Sequence, residues 1–192
     1  MRVLGLKNNY DLFALKKRDV QRVKELLLTP KHIAILIHYN PDGDAIGAAL
    51  ALSMYLKQKK HIVDIISPNP FPEFLQWMPE SERILLATNA FDKCKDKIKN
   101  ADLIFCIDFN APSRVGILQE SLENAKSLKI IIDHHVDPSD IFDIYYSVSE
   151  GISSSSELLY NFLVNKLGEK DVIDIDMAKC LYVGIITDTG SL

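Results

Sequence analysis

The chain has 192 residues, of which 47% are hydrophobic and 25% charged, and its formal net charge is −4. These proportions are ordinary for a folded globular protein, and the length allows one large domain or two small ones with a core that needs no disulfides. The negative charge argues against a protein that binds nucleic acid without sequence specificity, because such a protein needs a basic surface. It leaves room for a small anionic substrate that is bound by a few local cations.

The hydrophobic pattern predicts helices and strands in alternation. Residues 17–29 have helical spacing and stop at Pro30, so residues 1–30 read as an N-terminal helical segment. Short, continuously apolar runs predict strands at 32–38, 61–67, 101–108 and 128–133. Helices are expected from Ala45 to residue 59, near 90–99, over 154–168 and from 174 towards the end of the chain. We expect a loop or lid in the Pro-rich stretch 67–79 and a long polar loop over 136–153.

Continuously apolar strands are buried on both faces, which is typical of a parallel sheet with helices on both sides. The sequence therefore predicts an α/β fold, organised as one domain over residues 1–192. In such sheets, ligand-binding groups collect just beyond the carboxyl ends of the strands.

Three observations predict a cytoplasmic protein. The three cysteines, Cys94, Cys106 and Cys180, are widely spaced and odd in number, which favours reduced thiols over a disulfide framework. No apolar stretch approaches the roughly 18 residues of a membrane span. The first residues also lack the long apolar segment of a signal peptide.

Carboxylates and imidazoles follow four of the predicted elements. They lie in "HYNPDGD" after the first strand, at the end of "IFCID", in "IIDHHV" and in "TDTG". The residues are His38, Asp42, Asp44, Asp108, Asp133, His134, His135 and Asp188. Each segment has a structural alternative, such as aspartates that cap the next helix or a hydrogen-bonded surface pair of histidines. Those alternatives do not predict that all four segments bring such groups to one edge of a sheet.

A cluster of this composition favours divalent metals. Carboxylates packed within a few ångströms repel each other, and their pKa values rise unless a cation neutralises them. Oxygen and imidazole donors without thiolates suit Mn²⁺, Mg²⁺ or Fe²⁺ better than structural zinc. Two ions roughly 3.5–4 Å apart that share one carboxylate would use six ligands economically, and such pairs hydrolyse phosphate esters.

The segments "HYNPDGDAIGAALAL", "IFCIDFN", "IIDHHV" and "GIITDTGS" resemble the four ordered motifs of the DHH phosphoesterase superfamily. This superfamily includes RecJ-type exonucleases, nanoRNase-type oligoribonucleases that also dephosphorylate 3′-phosphoadenosine 5′-phosphate, cyclic-dinucleotide phosphodiesterases, exopolyphosphatases and family II pyrophosphatases. The resemblance implies two Mn²⁺ ions, with Mg²⁺ or Fe²⁺ as alternatives. It implies that one ion is bound by His38, Asp42 and Asp108, and the other by Asp44, Asp108, His134 and Asp188.

The resemblance also implies roles for residues around the metals. His135 resembles the histidine that contacts the substrate phosphate, and Asp133 would orient the histidines from behind. Arg114 in "DFNAPSRVG" resembles an arginine of the nanoRNase branch that would bind phosphate with its forked guanidinium; its alternative is a solvated loop arginine.

Ser154 in "SSSSELL" resembles a helix start of the same branch, where spare N–H groups would attract substrate phosphate. A capping box between Ser154 and Glu157 is the structural alternative. Gly43 in "PDGD" also favours the nuclease and nanoRNase side, because pyrophosphatases typically carry "PDTD" there.

The function implied is a manganese-dependent phosphoesterase that acts on very short RNA or on small phosphorylated nucleotides. The alternatives are another DHH hydrolase, or a non-catalytic domain that binds metal or nucleotide. A second, smaller substrate-binding domain follows in the nanoRNase branch, and we expect it to be absent from this chain. Neither a membrane nor a long duplex is expected as a partner, and the oligomeric state stays open, with a homodimer as one alternative.

Overall fold

The computed structural model describes residues 15–190. The helices of this part are α1 (Lys17–Leu26), α2 (Gly43–Gln58), α3 (Ala87–Asn100), α4 (Gln119–Glu123), α5 (Ser155–Asn161) and α6 (Ile175–Asp188). The strands are β1 (His32–Ile37), β2 (Ile62–Ser67), β3 (Leu85–Leu86), β4 (Leu103–Ile107), β5 (Leu128–Asp133) and β6 (Ile144–Ser147). Among residues 15–190, no helix combines the length and the hydrophobicity that crossing a membrane would need.

The strands form one parallel sheet in the order β3-β2-β1-β4-β5-β6. From β1 the chain winds outward through β2 and β3, returns to place β4 beside β1, and then winds outward in the other direction through β5 and β6. The winding direction therefore reverses between β1 and β4, which opens a crevice at the carboxyl ends of these two strands. The predicted α/β class with a parallel sheet is confirmed.

Strand side chains alternate between two hydrophobic cores, one on each face of the sheet. Ile33, Ile35 and Ile37 of β1 belong to the core that is covered by α2, α5 and α6. Ala34 and Leu36 belong to the opposite core, beneath α3 and α4. All five side chains are buried. Because both faces are covered, the strands read as continuous apolar runs in the sequence.

The prediction that residues 136–153 form one polar loop is wrong, because β6 lies within them and pairs with β5. Its Ile-Tyr-Tyr run suits a strand, but it is short and follows a polar segment. Helix α2 begins at Gly43 rather than Ala45, because Asp42 Oδ1 accepts the N–H groups of Asp44 and Ala45 at 3.0 and 3.1 Å.

Two other predicted segments are found in the structure with different extents. Helix α1 ends at Leu26, and residues 1–14 of the predicted N-terminal segment lie outside the described residues. The Pro-rich stretch 67–79 is a loop, with a short 3-10 turn at Glu73–Leu75.

Helices α2 and α6 pack antiparallel at close range. Gln58 at the end of α2 donates to Asp174 Oδ2, beside the start of α6, at 3.2 Å. In the middle of the contact, a Cβ at Gly47 would overlap the carbonyl oxygen of Cys180. This approach brings Asp44, at the start of α2, and Asp188, at the end of α6, to the same edge of the sheet.

We predict that Gly47→Ala lowers the free energy of unfolding by about 1–3 kcal/mol or more, because the added methyl meets a main-chain oxygen in a close-packed interface. Urea denaturation followed by circular dichroism measures the change. The double variant with Cys180→Ala is the control, and it should recover none of the loss because the clash does not involve the thiol. Recovery in the double variant, or an unchanged midpoint in the single one, would contradict this account of the packing.

Candidate metal centre

The polar side chains selected from the sequence meet at the crevice between β1 and β4. His38 follows β1 and Asp108 follows β4, and His38 Nε2 lies 3.4 Å from Asp108 Oδ2. His134 follows β5, and its Nε2 lies 3.5 Å from both Asp108 Oδ1 and Asp188 Oδ2. The carboxyl edge of the sheet thus gathers groups from segments far apart in the chain.

Three overlapping groups of side chains place their ligand atoms within 4.8 Å of one another. The groups are His38, Asp42 and Asp108; Asp44, His134 and Asp188; and Asp108, His134 and His135. The first two contain all six residues predicted as metal ligands. Asp108 lies between them, with one carboxylate oxygen towards each histidine. The arrangement suits two ions with Asp108 as the shared carboxylate, and the assignment of each ligand stays a prediction.

Asp108 is held in an unusual backbone conformation. Its φ of 63° lies in the left-handed region, which residues other than glycine seldom adopt. Its N–H donates to the carbonyl of Ile132 at 3.0 Å, and its side chain is buried. Such strain costs on the order of 1–3 kcal/mol and persists only where the surrounding structure imposes it. The fold therefore fixes the position of this carboxylate.

Asp44 is fully buried, and the start of α5 binds its carboxylate. The N–H of Ser155 donates to Oδ2 at 2.6 Å, and the N–H of Ser156 donates to Oδ1 at 2.8 Å. These are N–H groups that a helix start leaves without intrahelical partners. A Cβ at Gly184 would lie 2.9 Å from Asp44 Oδ1 and overlap the Ser156 side chain. Each carboxylate oxygen retains a second lone pair that an ion could use.

Ser155 also contacts the second central carboxylate, because its hydroxyl donates to Asp108 Oδ1 at 2.8 Å. Sequence reasoning did not select Ser155 or Ser156. The available signal was the serine run at a helix start, whose free N–H groups favour an anion. That the anion is Asp44, more than a hundred positions earlier in the chain, could not be read from the run.

Ser154, which the sequence suggested as a substrate contact, is fully buried. Its hydroxyl accepts the N–H of Glu157 at 3.0 Å, as a helix cap does. In a capping box Glu157 would accept the N–H of Ser154 itself. Here its Oε2 accepts the N–H of Ser153 at 2.8 Å. The two N–H groups that follow Ser154 are donated to Asp44. The substrate contact of Ser154 stays a prediction.

Burial and the charges of neighbouring residues shift the pKa values of the cluster. Burial and then the charge of Asp108 raise the pKa of Asp44 to about 7. Burial also raises the pKa of Asp188, against the opposing effect of His134. Burial lowers the pKa of His38, but its hydrogen bond with Asp108 and the charge of that residue outweigh burial and leave this pKa raised. A divalent cation would relieve the repulsion, so the donor set fits a metal site.

His38 presents the nitrogen that a metal needs. Its Nδ1 lies 2.9 Å from the carbonyl oxygen of Tyr39. A carbonyl oxygen only accepts, so Nδ1 carries the proton and donates, and Nε2 presents its lone pair to Asp108 and Asp42 when the ring is neutral. This is the arrangement in which a metal-binding histidine is usually held, with its other ring nitrogen bonded to the protein.

His135 is held differently from His134. Its Nδ1 lies 2.7 Å from Oδ1 of Asp133, a fully buried carboxylate whose Oδ2 has no hydrogen-bond partner within residues 15–190. The hydrogen bond with Asp133 raises the pKa of His135, against the effect of burial. The His135 side chain is 42% exposed. Asp133 was predicted to orient His134 and His135, and the histidine that it contacts is His135.

Arg114 lies at the rim of this centre, in the 3-10 segment Pro112–Leu118. It is exposed, and in the described part of the chain it forms no ion pair. It lines the same cleft as His38 and Asp42, and its positive charge opposes the raised pKa of His135. Its predicted role as a phosphate contact stays a prediction.

A doubly wound parallel sheet with carboxylates and imidazoles at its switch point has the fold and the donor set of a domain that could bind divalent metals there. Residues 32–185 match the DHH family, N-terminal domain. The chain belongs to the DHH family, as the four motifs predicted.

The chain is 29% identical over 178 residues to the bifunctional oligoribonuclease and PAP phosphatase NrnA of Thermus thermophilus, a match that covers 92% of this chain and 48% of that protein. It is 29% identical over 175 residues to the cyclic-di-AMP phosphodiesterase GdpP of Bacillus subtilis, covering 88% and 26%. The crystal structure of an exopolyphosphatase-related protein from Bacteroides fragilis superposes with a TM-score of 0.88 at 38% identity, covering 92% and 52%. The chain thus spans about half the length of these proteins, or less.

Mn²⁺ should raise the melting temperature, and by more at pH 8 than at pH 5.5. The folded pKa of Asp44 is raised to about 7, so its ionised form destabilises the fold increasingly as pH rises above its unfolded pKa. An ion compensates that charge at pH 8, whereas protons compete with the ion at pH 5.5. A hundredfold excess over Kd adds about 2.7 kcal/mol to stability.

Differential scanning fluorimetry at the two pH values measures this shift. Asp92→Asn, which removes an exposed carboxylate on α3, is the matched control and should respond as the parent does. A shift in melting temperature at pH 5.5 that equals or exceeds the shift at pH 8 would contradict the assignment of Asp44 to a metal site.

Ser155→Ala should weaken Mn²⁺ binding by about 10–100-fold, the usual effect of losing a hydrogen bond that orients a metal ligand. Isothermal titration calorimetry measures the affinity, and Ser155→Thr should restore it because the hydroxyl is kept. Ser153→Ala is the matched control, since that hydroxyl bonds to Glu157 and to neither central aspartate. Equal losses in the two alanine variants would show that Ser155 has no special role.

Proposed function

We propose that the chain is the catalytic domain of a metal-dependent phosphoesterase that hydrolyses very short oligoribonucleotides, 3′-phosphoadenosine 5′-phosphate, or both. The observation that carries the proposal is the position of Asp108, whose two oxygens lie 3.4 and 3.5 Å from the Nε2 atoms of His38 and His134. A carboxylate between two such groups is what a pair of ions requires. The name of the NrnA relative supports the substrate class.

Two bound ions would supply an activated water and would neutralise charge on the phosphate. Mn²⁺ is the proposed metal, with Mg²⁺ or Fe²⁺ as alternatives, because the donors are carboxylate oxygens and imidazole nitrogens. Asp108 would contact both ions. The other residues that would hold them are His38, Asp42, Asp44, His134 and Asp188.

His135 would act on the substrate itself. The buried carboxylate of Asp133 bonds Nδ1, so Nε2 is the ring nitrogen that would contact the substrate. The raised pKa favours the protonated ring, in which Nε2–H can donate to a phosphoryl oxygen or to the leaving oxygen. Arg114 would bind another oxygen of the phosphate with its forked guanidinium. These groups stabilise charge that develops as the ester bond breaks.

A second candidate function is hydrolysis of a different phosphate substrate by the same centre. The similarity to GdpP, a cyclic-di-AMP phosphodiesterase, and to an exopolyphosphatase-related protein favours it. Both candidate functions use the same metal centre. They differ in which part of the substrate binds next to that centre.

The test is hydrolysis with Mn²⁺ of dinucleotide RNA, 3′-phosphoadenosine 5′-phosphate, cyclic di-AMP and pyrophosphate, followed by chromatography. At least one of the first two should react fastest. His135→Ala should lose roughly 10²-fold or more in rate, the scale of one positioned acid, and should keep the thermal shift with Mn²⁺. Asp108→Ala should lose both activity and shift.

The control is Asp92→Asn, which should react at the parent rate. Preference for cyclic di-AMP or pyrophosphate would favour the second candidate. If Mn²⁺ binds and none of the four substrates reacts, the catalytic proposal is wrong for this chain.

A further inference from the structure

We infer that the open cleft beside His38 and Asp42 is a nucleoside-binding subsite in which the ring of Tyr39 stacks on a nucleobase. This inference rests on the proposed function, because it assigns the part of the same site that would recognise the base. The residues that line the cleft are His38, Tyr39, Asn40, Asp42, Ser113, Arg114 and Gly116.

The cleft is continuous with the candidate metal centre. Its volume is about 600 Å³, which is within the range of small-molecule sites. His38 and Asp42 belong both to its wall and to one of the groups that could hold an ion. A molecule whose phosphate lies at the ions therefore has this cleft directly beside its phosphate.

Tyr39 offers an aromatic ring on a fixed backbone. Its side chain is 52% exposed, although it follows a buried strand by two positions. Its N–H donates to the carbonyl of Arg114 at 2.6 Å, and its own carbonyl accepts from His38 at 2.9 Å. The ring is thus attached to the same main chain that holds a candidate metal ligand, so the fold sets the point from which it extends into the cleft.

The loops on both sides of the ring are also held in place. Gly116 lies beside the Tyr39 ring, since a Cβ there would be in ordinary contact with it at 3.4 Å, and its φ of 52° is a backbone conformation that favours glycine. Asn40 has a φ of 53°; its N–H donates to Asn69 Oδ1 at 2.7 Å, and its own Oδ1 accepts from Asn69 at 2.8 Å. The ring contacts main chain at Gly116 and about half of the side chain is exposed, which suits stacking with a planar base.

The charge in the cleft identifies the kind of ligand. Arg114 is an exposed cation that forms no ion pair in the described part of the chain. A cation that lines the same cleft as an aromatic ring matches a nucleotide, which joins a phosphate to a planar base. Pyrophosphate and polyphosphate have no apolar part that would use the ring. The combination of Tyr39 and Arg114 therefore favours a nucleotide.

The test compares adenosine 5′-monophosphate with ribose 5-phosphate, which carries a hydroxyl in place of the base, on the Mn²⁺-loaded chain by calorimetry. The parent should bind the nucleotide roughly tenfold tighter or more, the scale of one base–aromatic stack. Tyr39→Ala should bring the two affinities close together by weakening only the nucleotide, and Tyr39→Phe should keep the parent ratio. Tyr39→Leu, which retains bulk against Gly116, should behave like Tyr39→Ala.

The outcomes separate this inference from the proposed function. If the parent binds both ligands with equal affinity, or if the leucine and alanine variants keep the parent ratio, the subsite is wrong and the phosphoesterase proposal stands. If the Mn²⁺-loaded parent binds neither ligand, the subsite is wrong, and the proposal of a nucleotide substrate is wrong as well. Quenching of 2-aminopurine riboside monophosphate by the parent, and its loss in Tyr39→Leu, would support stacking directly.

Discussion

The site depends on one interaction, the binding of the buried Asp44 carboxylate by the start of α5. This carboxylate lies at the start of α2, accepts N–H groups from Ser155 and Ser156 at the start of α5, and lies against Gly184 of α6. A buried charge is costly unless hydrogen bonds and an opposite charge compensate it. Two hydrogen bonds are present, and yet its pKa is still raised to about 7. The packing of three helices therefore leaves a charge that a cation would stabilise.

The sheet supplies the rest of the centre through its topology. The winding reverses between β1 and β4, so the residues that follow these strands face one crevice. His38 and Asp108 come from these positions, and the left-handed backbone of Asp108 fixes its carboxylate between the two histidines, His38 and His134. Helix α6 completes the edge with Asp188, because Gly47 permits its close approach to α2. Strand order and helix packing thus place the candidate metal ligands in one small volume.

The centre and the cleft beside it have different roles in this proposal. Metal ligands suited to phosphate hydrolysis can serve several substrates, as the varied names of the relatives illustrate. Choice among phosphate esters depends on groups that contact the remainder of the substrate, since interactions with non-reacting parts help to position the reacting bond. Tyr39 would be such a group within this chain, because its exposed ring lines the cleft beside the metal centre. His135, which is held by the buried carboxylate of Asp133, would act on the phosphate.

The sequence by itself determined the α/β class, most strand positions and the eight charged or imidazole groups at the carboxyl edge, because buried parallel strands and their polar ends leave a local pattern. It did not reveal β6, whose pairing with β5 is a tertiary contact. It also missed Ser155, Ser156 and the exposed ring of Tyr39. Ser155 meets Asp44 across 111 positions, and Ser156 meets it across 112. Only the tertiary structure decided these contacts, because helix packing and strand order bring together residues whose local sequences carry no sign of one another.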